Sequence, residues 1–144
     1  MFYRKMFLSA TLLFFLCACG ASTAKSEAEA LASKYFEAVE KGSPEEALPL
    51  YGDLFYKATT KEEWLKILNK VREKLGPAKS HVLANWNVSV QANTSGSGSY
   101  VTLNYNVKYA LYDAQENLVI FKPMSGGEVK ILGHHINSKG LLLQ

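Results

Sequence analysis

The hydrophobic period of this sequence changes once, at Gly76-Pro77, and that change constrains the fold more than any other feature. On the N-terminal side, apolar residues recur every three or four positions, which is the spacing of an amphipathic helix. On the C-terminal side, apolar and polar residues alternate, as they do in half-buried strands. The clearest examples are Trp64, Leu68, Val71 and Leu75 before the change, and Val101, Leu103, Tyr105, Val107 and Tyr109 after it. Because the helices precede the strands instead of alternating with them, we predict an α+β domain, with N-terminal helices packed on a four-stranded antiparallel sheet.

Three capping-box patterns, in which a Ser or Thr is followed three residues later by Glu, mark predicted helix starts. They are Ser26 with Glu29, Ser43 with Glu46, and Thr60 with Glu63. A glycine follows each apolar stretch, as is common just beyond a helix C-terminus. The predicted helices therefore cover residues 27–41, 44–51 and 61–75.

Four strands, joined by turns and short loops, are expected after Pro77. We predict them at residues 82–91, 101–111, 118–124 and 128–137, with a turn at Asp113–Asn117. The first strand should present one apolar face, formed by Val82, Ala84, Trp86, Val88 and Val90. Strands of this length twist, so the sheet should curl into a cone-like shape around the helices. Such a shape leaves either a filled core or a pocket at its mouth.

Residues 1–18 have the layout of an export signal. Arg4 and Lys5 form a positive start and are followed by an apolar stretch from Leu8 to Leu16. That stretch is too short to cross about 30 Å of hydrocarbon as a helix. We therefore predict a signal peptide.

The end of this segment, Leu16-Cys17-Ala18-Cys19, resembles the bacterial lipobox. The resemblance implies cleavage before Cys19 and lipid attachment to Cys19, with palmitate or a similar acyl chain anchoring the protein in a membrane. The alternatives are secretion after cleavage near Ala24, and an uncleaved anchor. Gly20, not Asp, follows Cys19. In Gram-negative lipoproteins Asp at that position resembles an inner-membrane mark, so its absence implies the outer membrane, facing the periplasm of the cell envelope.

The remaining chain divides into a predicted flexible tether at residues 19–25, which are small and polar, and a domain at residues 26–144. The formal charge of +3 belongs to the precursor, because two of its sixteen Lys and Arg residues, Arg4 and Lys5, lie in the leader and only thirteen residues are acidic. A nearly neutral domain argues against nucleic acid as a partner, since phosphate binding requires a clustered basic surface.

The order of predicted elements resembles the nuclear-transport-factor-two-like cone fold. Over roughly residues 26–137, a second set of residues resembles the pattern of a bacterial envelope family that is classified only as a domain of unknown function. These residues are Phe55, Trp64, Val71-Arg72, Leu75-Gly76-Pro77, Gly133 and Ile136. The sequence departs from the family pattern at Val129, where a Trp is usual, at His134-His135, where an aromatic pair is usual, and at His81, where an Arg is usual. The resemblance implies a fold more firmly than a function.

No residue pattern indicates a catalytic site, a cofactor or a metal ion. His134 and His135 are adjacent on a predicted strand, so their side chains should point to opposite faces and not share one metal. His81 with Asp53 or Asp113 could form an acid–base pair, but only the fold analogy suggests it. The residues that we expect to line a possible pocket are Trp86, Tyr105, Tyr109 and His81, and the alternative for these rings is ordinary sheet core.

The leading hypothesis is a membrane-anchored, non-catalytic module that binds a small apolar ligand or an envelope protein. The alternative is a small enzyme that acts on a small molecule in the sheet pocket through His81 or a strand histidine. A homodimer through the exposed sheet face is a third hypothesis. Its contact residues would be Thr102, Asn104, Asn106 and Lys108.

Overall fold

A computed structural model describes residues 16–92 and 96–143 of the chain. The helices are α1 Leu16–Lys41, α2 Asp53–Tyr56, α3 Lys61–Leu75 and α4 Lys139–Leu142, with a 3₁₀ helix at Pro44–Leu50. The strands are β1 Ala78–Gln91, β2 Gly98–Tyr109, β3 Asp113–Pro123 and β4 Lys130–Asn137. They form one antiparallel sheet in the order β1-β2-β3-β4. The predicted α+β class, with helices on an antiparallel four-stranded sheet, is confirmed.

Helix α1 is longer than predicted and begins at Leu16. The expected helix start at Ser26 is wrong, and residues 19–25, predicted to be a flexible tether, are helical. The small residues Ala24, Ala28 and Ala32 are buried along one side of α1. Alanine has the highest helix propensity, and its small side chain lets the helix lie close to the sheet, so both effects favour one continuous helix.

The predictions for the next two helices are correct in position. Thr60 and Glu63 make both hydrogen bonds of a capping box at the start of α3, and Trp64, Leu68, Val71 and Leu75 are its buried residues. The 3₁₀ helix occupies most of the predicted second helix, but Ser43 makes no side-chain capping bond. Among the described residues, no helix combines the length and apolar composition needed to cross a bilayer.

The helices cover one face of the sheet, here called the inner face, and the other is the outer face. The inner face supplies most of the sheet's buried core: Val101, Leu103, Val107, Leu118, Ile120 and Ile131. On β1 the predicted single apolar face is wrong, because the register shifts between Leu83 and Asn85 and this bulge changes which residues face inward. Before the bulge, His81 lies opposite Val107 and faces inward, so Val82 lies on the outer face and is 65% exposed. After the bulge, Trp86 and Val88 lie opposite Leu103 and Val101 on the inner face.

The predicted turn at Asp113–Asn117 is also wrong. Strand β3 begins at Asp113, and the connection from β2 is confined to residues 110–112. Leu111 donates its backbone N–H to the carbonyl of Leu75 over 2.8 Å, which ties this turn to the end of α3. Glu116 therefore lies inside β3 and not in a turn.

Candidate functional site

Five polar or aromatic side chains meet between the helices and the inner face of the sheet. We call them the buried polar cluster. They are Tyr35, Tyr51, Tyr109, Glu116 and His134. Each comes from a different part of the fold, so the cluster connects α1, the segment before α2, and three neighbouring strands.

The strand register explains why Glu116 faces inward. Ala114, Glu116, Leu118 and Ile120 are the buried residues of β3 and alternate with more exposed positions. On β4, His134 lies opposite Leu118 and therefore faces the same side. Both side chains, Glu116 and His134, are fully buried.

Glu116 accepts hydrogen bonds at both carboxylate oxygens. Tyr35 donates its hydroxyl to Oε2 over 2.9 Å, and Tyr109 donates its hydroxyl to Oε1. The Nε2 atom of His134 lies 2.9 Å from Oε2. A buried carboxylate is costly unless hydrogen bonds replace its hydration, and these three partners replace it here.

His134 also contacts a third tyrosine, because its Nδ1 atom lies 2.7 Å from the hydroxyl of Tyr51. With Glu116 ionised, one arrangement of protons satisfies every group. The Nε2–H of a neutral His134 donates to Glu116, and the Tyr51 hydroxyl donates to Nδ1. The result is a continuous path of hydrogen bonds from Tyr51 through His134 to Glu116.

The surroundings keep the cluster tyrosines protonated. Burial raises the pKa of Tyr35 well above its ordinary value, and the charge of Glu116 raises it further. Burial and Glu116 act in the same way on the pKa of Tyr109. Burial also raises the pKa of Tyr51, while the indole N–H of Trp64 lowers it in part. These hydroxyls are therefore hydrogen-bond donors at neutral pH.

Aromatic rings close the cluster on the helix side. The ring of His134 lies 4.8 Å from that of Tyr35 and 5.3 Å from that of Trp64. Phe55 packs 4.5 Å from Tyr51 and 5.0 Å from Trp64. The Trp64 indole nitrogen is buried without a hydrogen bond of normal geometry. The site is consequently densely packed.

A narrow crevice borders the cluster. A crevice of about 10 Å³, lined in part by Tyr35 and Tyr109, continues towards Val39, Pro44, Val71 and Arg72. That volume is enough for about one water molecule. Within residues 16–92 and 96–143, the cluster therefore has the residue types of an acid–base site and is closely packed where Tyr35 and Tyr109 border this crevice.

The structure places the four residues predicted to line a possible pocket in different surroundings. His81 stacks on Phe36 at 4.0 Å, and Tyr105 packs edge-on against Phe36 at 4.8 Å. Burial and the charge of Glu29 raise the pKa of Tyr105 to about 12. Tyr109 belongs to the buried polar cluster. Trp86 is 48% exposed.

The acidic partner of His81 is not Asp53 or Asp113, as the fold analogy suggested. Nδ1 of His81 lies 2.8 Å from a carboxylate oxygen of Glu40, on α1. Asp53 and Asp113 are both exposed. His81 thus joins β1 to α1 at the rim of the core, away from the cluster.

The two adjacent histidines point to opposite faces of the sheet, as expected for neighbours on a strand. His134 faces inward, whereas His135 is exposed and lies opposite Asn117 on the outer face. Over residues 16–92 and 96–143, no three His, Cys, Asp or Glu residues are grouped so that they could hold a metal ion.

Sequence reasoning missed Glu116, Tyr35 and Tyr51 as site residues. The predicted turn at Asp113–Asn117 places Glu116 outside a strand, and Tyr35 lies within the predicted helix at residues 27–41 with nothing to distinguish it. The signal that could have revealed Glu116 is the alternation of Ala114, Glu116, Leu118 and Ile120, which places a carboxylate in an otherwise apolar row.

The geometry defines a small α+β domain with a buried carboxylate–histidine–tyrosine cluster. Residues 31–134 match the family model described as a protein of unknown function, DUF4019, and the chain belongs to that family. The matched range includes every residue of the buried polar cluster. Neither the curated proteins nor the solved structures contain a match to the chain. The similarity to the nuclear-transport-factor-two-like fold stays a prediction.

Proposed function

We propose that this protein is a lipid-anchored component of the bacterial envelope, facing the periplasm, whose domain is a non-catalytic binding or interaction module. The leader and the lipobox-like Leu16-Cys17-Ala18-Cys19 support the anchor at Cys19. The observation that carries the non-catalytic role is the packing around Glu116. Among the described residues, its partners and the surrounding rings pack closely around it, which supports a structural role for this carboxylate.

The outer face of the sheet is the surface proposed for the partner. At its centre the Asn104 side chain donates to Asn85 over 2.6 Å and accepts from Asn117 over 2.7 Å. Beyond this row lies an open depression of about 570 Å³. Its lining includes Val82, Asn106, Lys108, Asp113, Asn137 and Lys139. Mixed polar and apolar surface of this kind suits a protein partner or a second copy of the chain more than nucleic acid.

Substitution of the two cysteines tests the anchor. Cys19→Ser should abolish incorporation of labelled palmitate and remove the protein from the membrane fraction, whereas Cys17→Ser should leave both unchanged. Mass spectrometry of the N-terminal peptide then identifies the acylated residue. Unchanged acylation and membrane association of Cys19→Ser would refute the anchor.

Cross-linking from the outer face tests the interaction module. A photoreactive phenylalanine at Val82, which is 65% exposed, should give discrete adducts in intact cells. The same residue at Leu54, which is 56% exposed on α2, is the matched control and should give none of these adducts. Identical adducts from both positions, or none from Val82, would contradict a partner on this face.

The second candidate is an enzyme, and the composition of the buried polar cluster favours it. A carboxylate, an imidazole and three phenolic hydroxyls joined by hydrogen bonds are groups used for proton transfer. This function requires an opening of the ring cage around His134. If it is correct, Glu116→Gln should abolish the cellular function of a protein that still folds and still reaches the membrane. If the protein is a binding module, loss of function should follow loss of folded protein.

A further inference from the structure

The first turns of α1 border an apolar groove at one end of the sheet. The groove has a volume of about 510 Å³, and its lining includes Ala21, Val90, Lys122, Pro123 and Met124. Gly20 and Thr23 of α1 also line it, and Cys19 is the next residue towards the N-terminus. The groove therefore begins within one residue of the proposed lipid attachment point.

Apolar side chains project from this end of the sheet into solvent. Val90 is 63% exposed and Met124 is 64% exposed. The strand register places them close together, because Val90 lies opposite Ser99 and Met124 donates its backbone N–H to the carbonyl of Ser97 over 2.9 Å. We call Val90, Pro123 and Met124 the apolar end of the sheet.

Because α1 is continuous, it fixes the position of the apolar end of the sheet relative to an anchor at Cys19. A helix rises 1.5 Å per residue, so Cys19 and Thr23 are only about 6 Å apart along its axis. Since residues 19–25 are helical, no flexible spacer separates the anchor from the domain. A lipid on Cys19 therefore holds the apolar end of the sheet beside the bilayer.

We propose that the apolar end of the sheet docks on the phospholipid bilayer that holds the anchor, with Val90 and Met124 at the boundary between headgroups and acyl chains. The inference rests on the proposed acylation of Cys19. It adds a second, non-covalent contact, which sets the orientation of the whole domain on the membrane.

The contact is apolar in character, because nearby cations already have partners. Lys122 pairs with Glu27 over 2.8 Å, and Lys25 pairs with Glu29 over 2.9 Å. The ammonium group of Lys25 also lies 5.1 Å from the centre of the Trp86 ring. Indole rings and long lysine side chains suit the membrane interface, where one end of the side chain is apolar and the other hydrated. The proposed contact is therefore mainly with the hydrocarbon boundary of the bilayer and less with its phosphate groups.

Tryptophan fluorescence in brominated vesicles tests this docking. The full-length protein is produced in bacteria, so that its natural processing and acylation take place, and is reconstituted in phosphatidylethanolamine–phosphatidylglycerol vesicles with brominated acyl chains. All variants carry Trp86→Phe. The two reporters are Val90→Trp and Met124→Trp. Leu111→Trp is the matched control, because Leu111 is 65% exposed at the opposite end of the sheet. The only other indole, that of Trp64, is buried and common to all three variants.

Docking predicts a blue shift and a loss of emission for Val90→Trp and Met124→Trp, and no change for Leu111→Trp. Near-ultraviolet circular dichroism checks that each variant is folded. Equal quenching of reporters and control in protein that carries an acylated Cys19 overturns the docking and leaves the anchor intact. Absence of an acyl mass on Cys19 overturns the proposed anchor, and the docking with it.

Discussion

The Oε2 atom of Glu116 lies 2.9 Å from Nε2 of His134, and both side chains are fully buried. This contact joins β3 to β4, and through Tyr35 it also joins both strands to α1. A buried carboxylate is weak evidence for stability by itself, because burial removes its hydration. Glu116 contributes to the fold through its complete hydrogen bonding, which favours one arrangement of helices and strands over the alternatives.

Substitution of Glu116 should be among the most destabilising single changes in the domain. Glu116→Ala leaves two tyrosine hydroxyls and His134 without their acceptor. Each buried donor left unsatisfied costs about 1–3 kcal/mol, so the loss of this shared acceptor should cost at least about 3 kcal/mol. Glu116→Gln keeps the shape and one acceptor oxygen, so we expect a smaller loss of about 1–3 kcal/mol. Urea denaturation, followed by circular dichroism, measures both free energies of unfolding.

Glu73→Gln is the control for these variants. Glu73 pairs with Lys70 on the exposed side of α3, where its side chain is 68% exposed. Substitution of such a residue changes the free energy of unfolding by no more than about 0.5 kcal/mol. If Glu116→Gln were as stable as Glu73→Gln, the buried polar cluster would not support the fold as argued.

Alkaline pH should unfold the protein because its buried tyrosines must ionise. In the folded state the pKa of Tyr105 is raised to about 12, and the pKa values of Tyr35, Tyr51 and Tyr109 are also raised. In the unfolded chain a tyrosine ionises near pH 10, as free tyrosine does. The folded state therefore binds more protons above pH 10, and this stabilisation, complete below pH 10, is lost as the pH rises towards 12.

Each such tyrosine lowers the free energy of unfolding by up to about 1.4 kcal/mol per pH unit in that range. Denaturation curves between pH 8 and pH 11.5 should therefore show a fall that begins near pH 10. Tyr105→Phe should make the fall less steep, whatever its effect at neutral pH. Absorbance at 295 nm provides the direct check, since the buried tyrosines should ionise together with unfolding. A free energy of unfolding that stays constant up to pH 11.5 would contradict the burial of these hydroxyls.

The fold class could be predicted from the sequence because it depends on the local spacing of apolar residues. The change from helical to alternating spacing at Gly76-Pro77 and the capping box of Thr60 with Glu63 both correspond to the structure. The inner face of β1 could not be predicted. A bulge beyond Leu83 reverses the faces, and nothing in the local composition marks it.

The candidate site could be predicted even less well. The polar segment Asp113–Asn117 has the composition of a turn, yet residues distant in sequence bury Glu116 within a strand. His134 and Tyr51, which are 83 residues apart, meet only in the folded chain. Local propensity carries no information about such partners, and tertiary packing overrides it.

The capping box of α3 should stabilise the domain measurably. The Thr60 side chain accepts from the backbone N–H of Glu63 over 3.1 Å, and the Glu63 carboxylate accepts from the backbone N–H of Thr60 over 2.9 Å. These hydrogen bonds also lower the pKa of Glu63. Thr60→Ala should reduce the free energy of unfolding by about 1 kcal/mol. Thr59→Ala, which keeps both capping bonds, is the control and should have a smaller effect in the same urea titration.

Two glycines with similar positive φ angles should respond differently to alanine. Gly126 has φ +77°, and Gly76 has φ +82° with ψ −179°, a combination that is essentially confined to glycine. Sparsely populated backbone regions of this kind cost an alanine about 1–3 kcal/mol. At Gly126 an added Cβ meets nothing within 4 Å, so Gly126→Ala measures the backbone cost alone. At Gly76 the same atom would lie 2.8 Å from the Cβ of Ala110, where α3 ends against the β2–β3 turn. Gly76→Ala should therefore lose more stability than Gly126→Ala, by at least about 1 kcal/mol. Equal free energies of unfolding for the two variants would show that this turn is free to move away from α3.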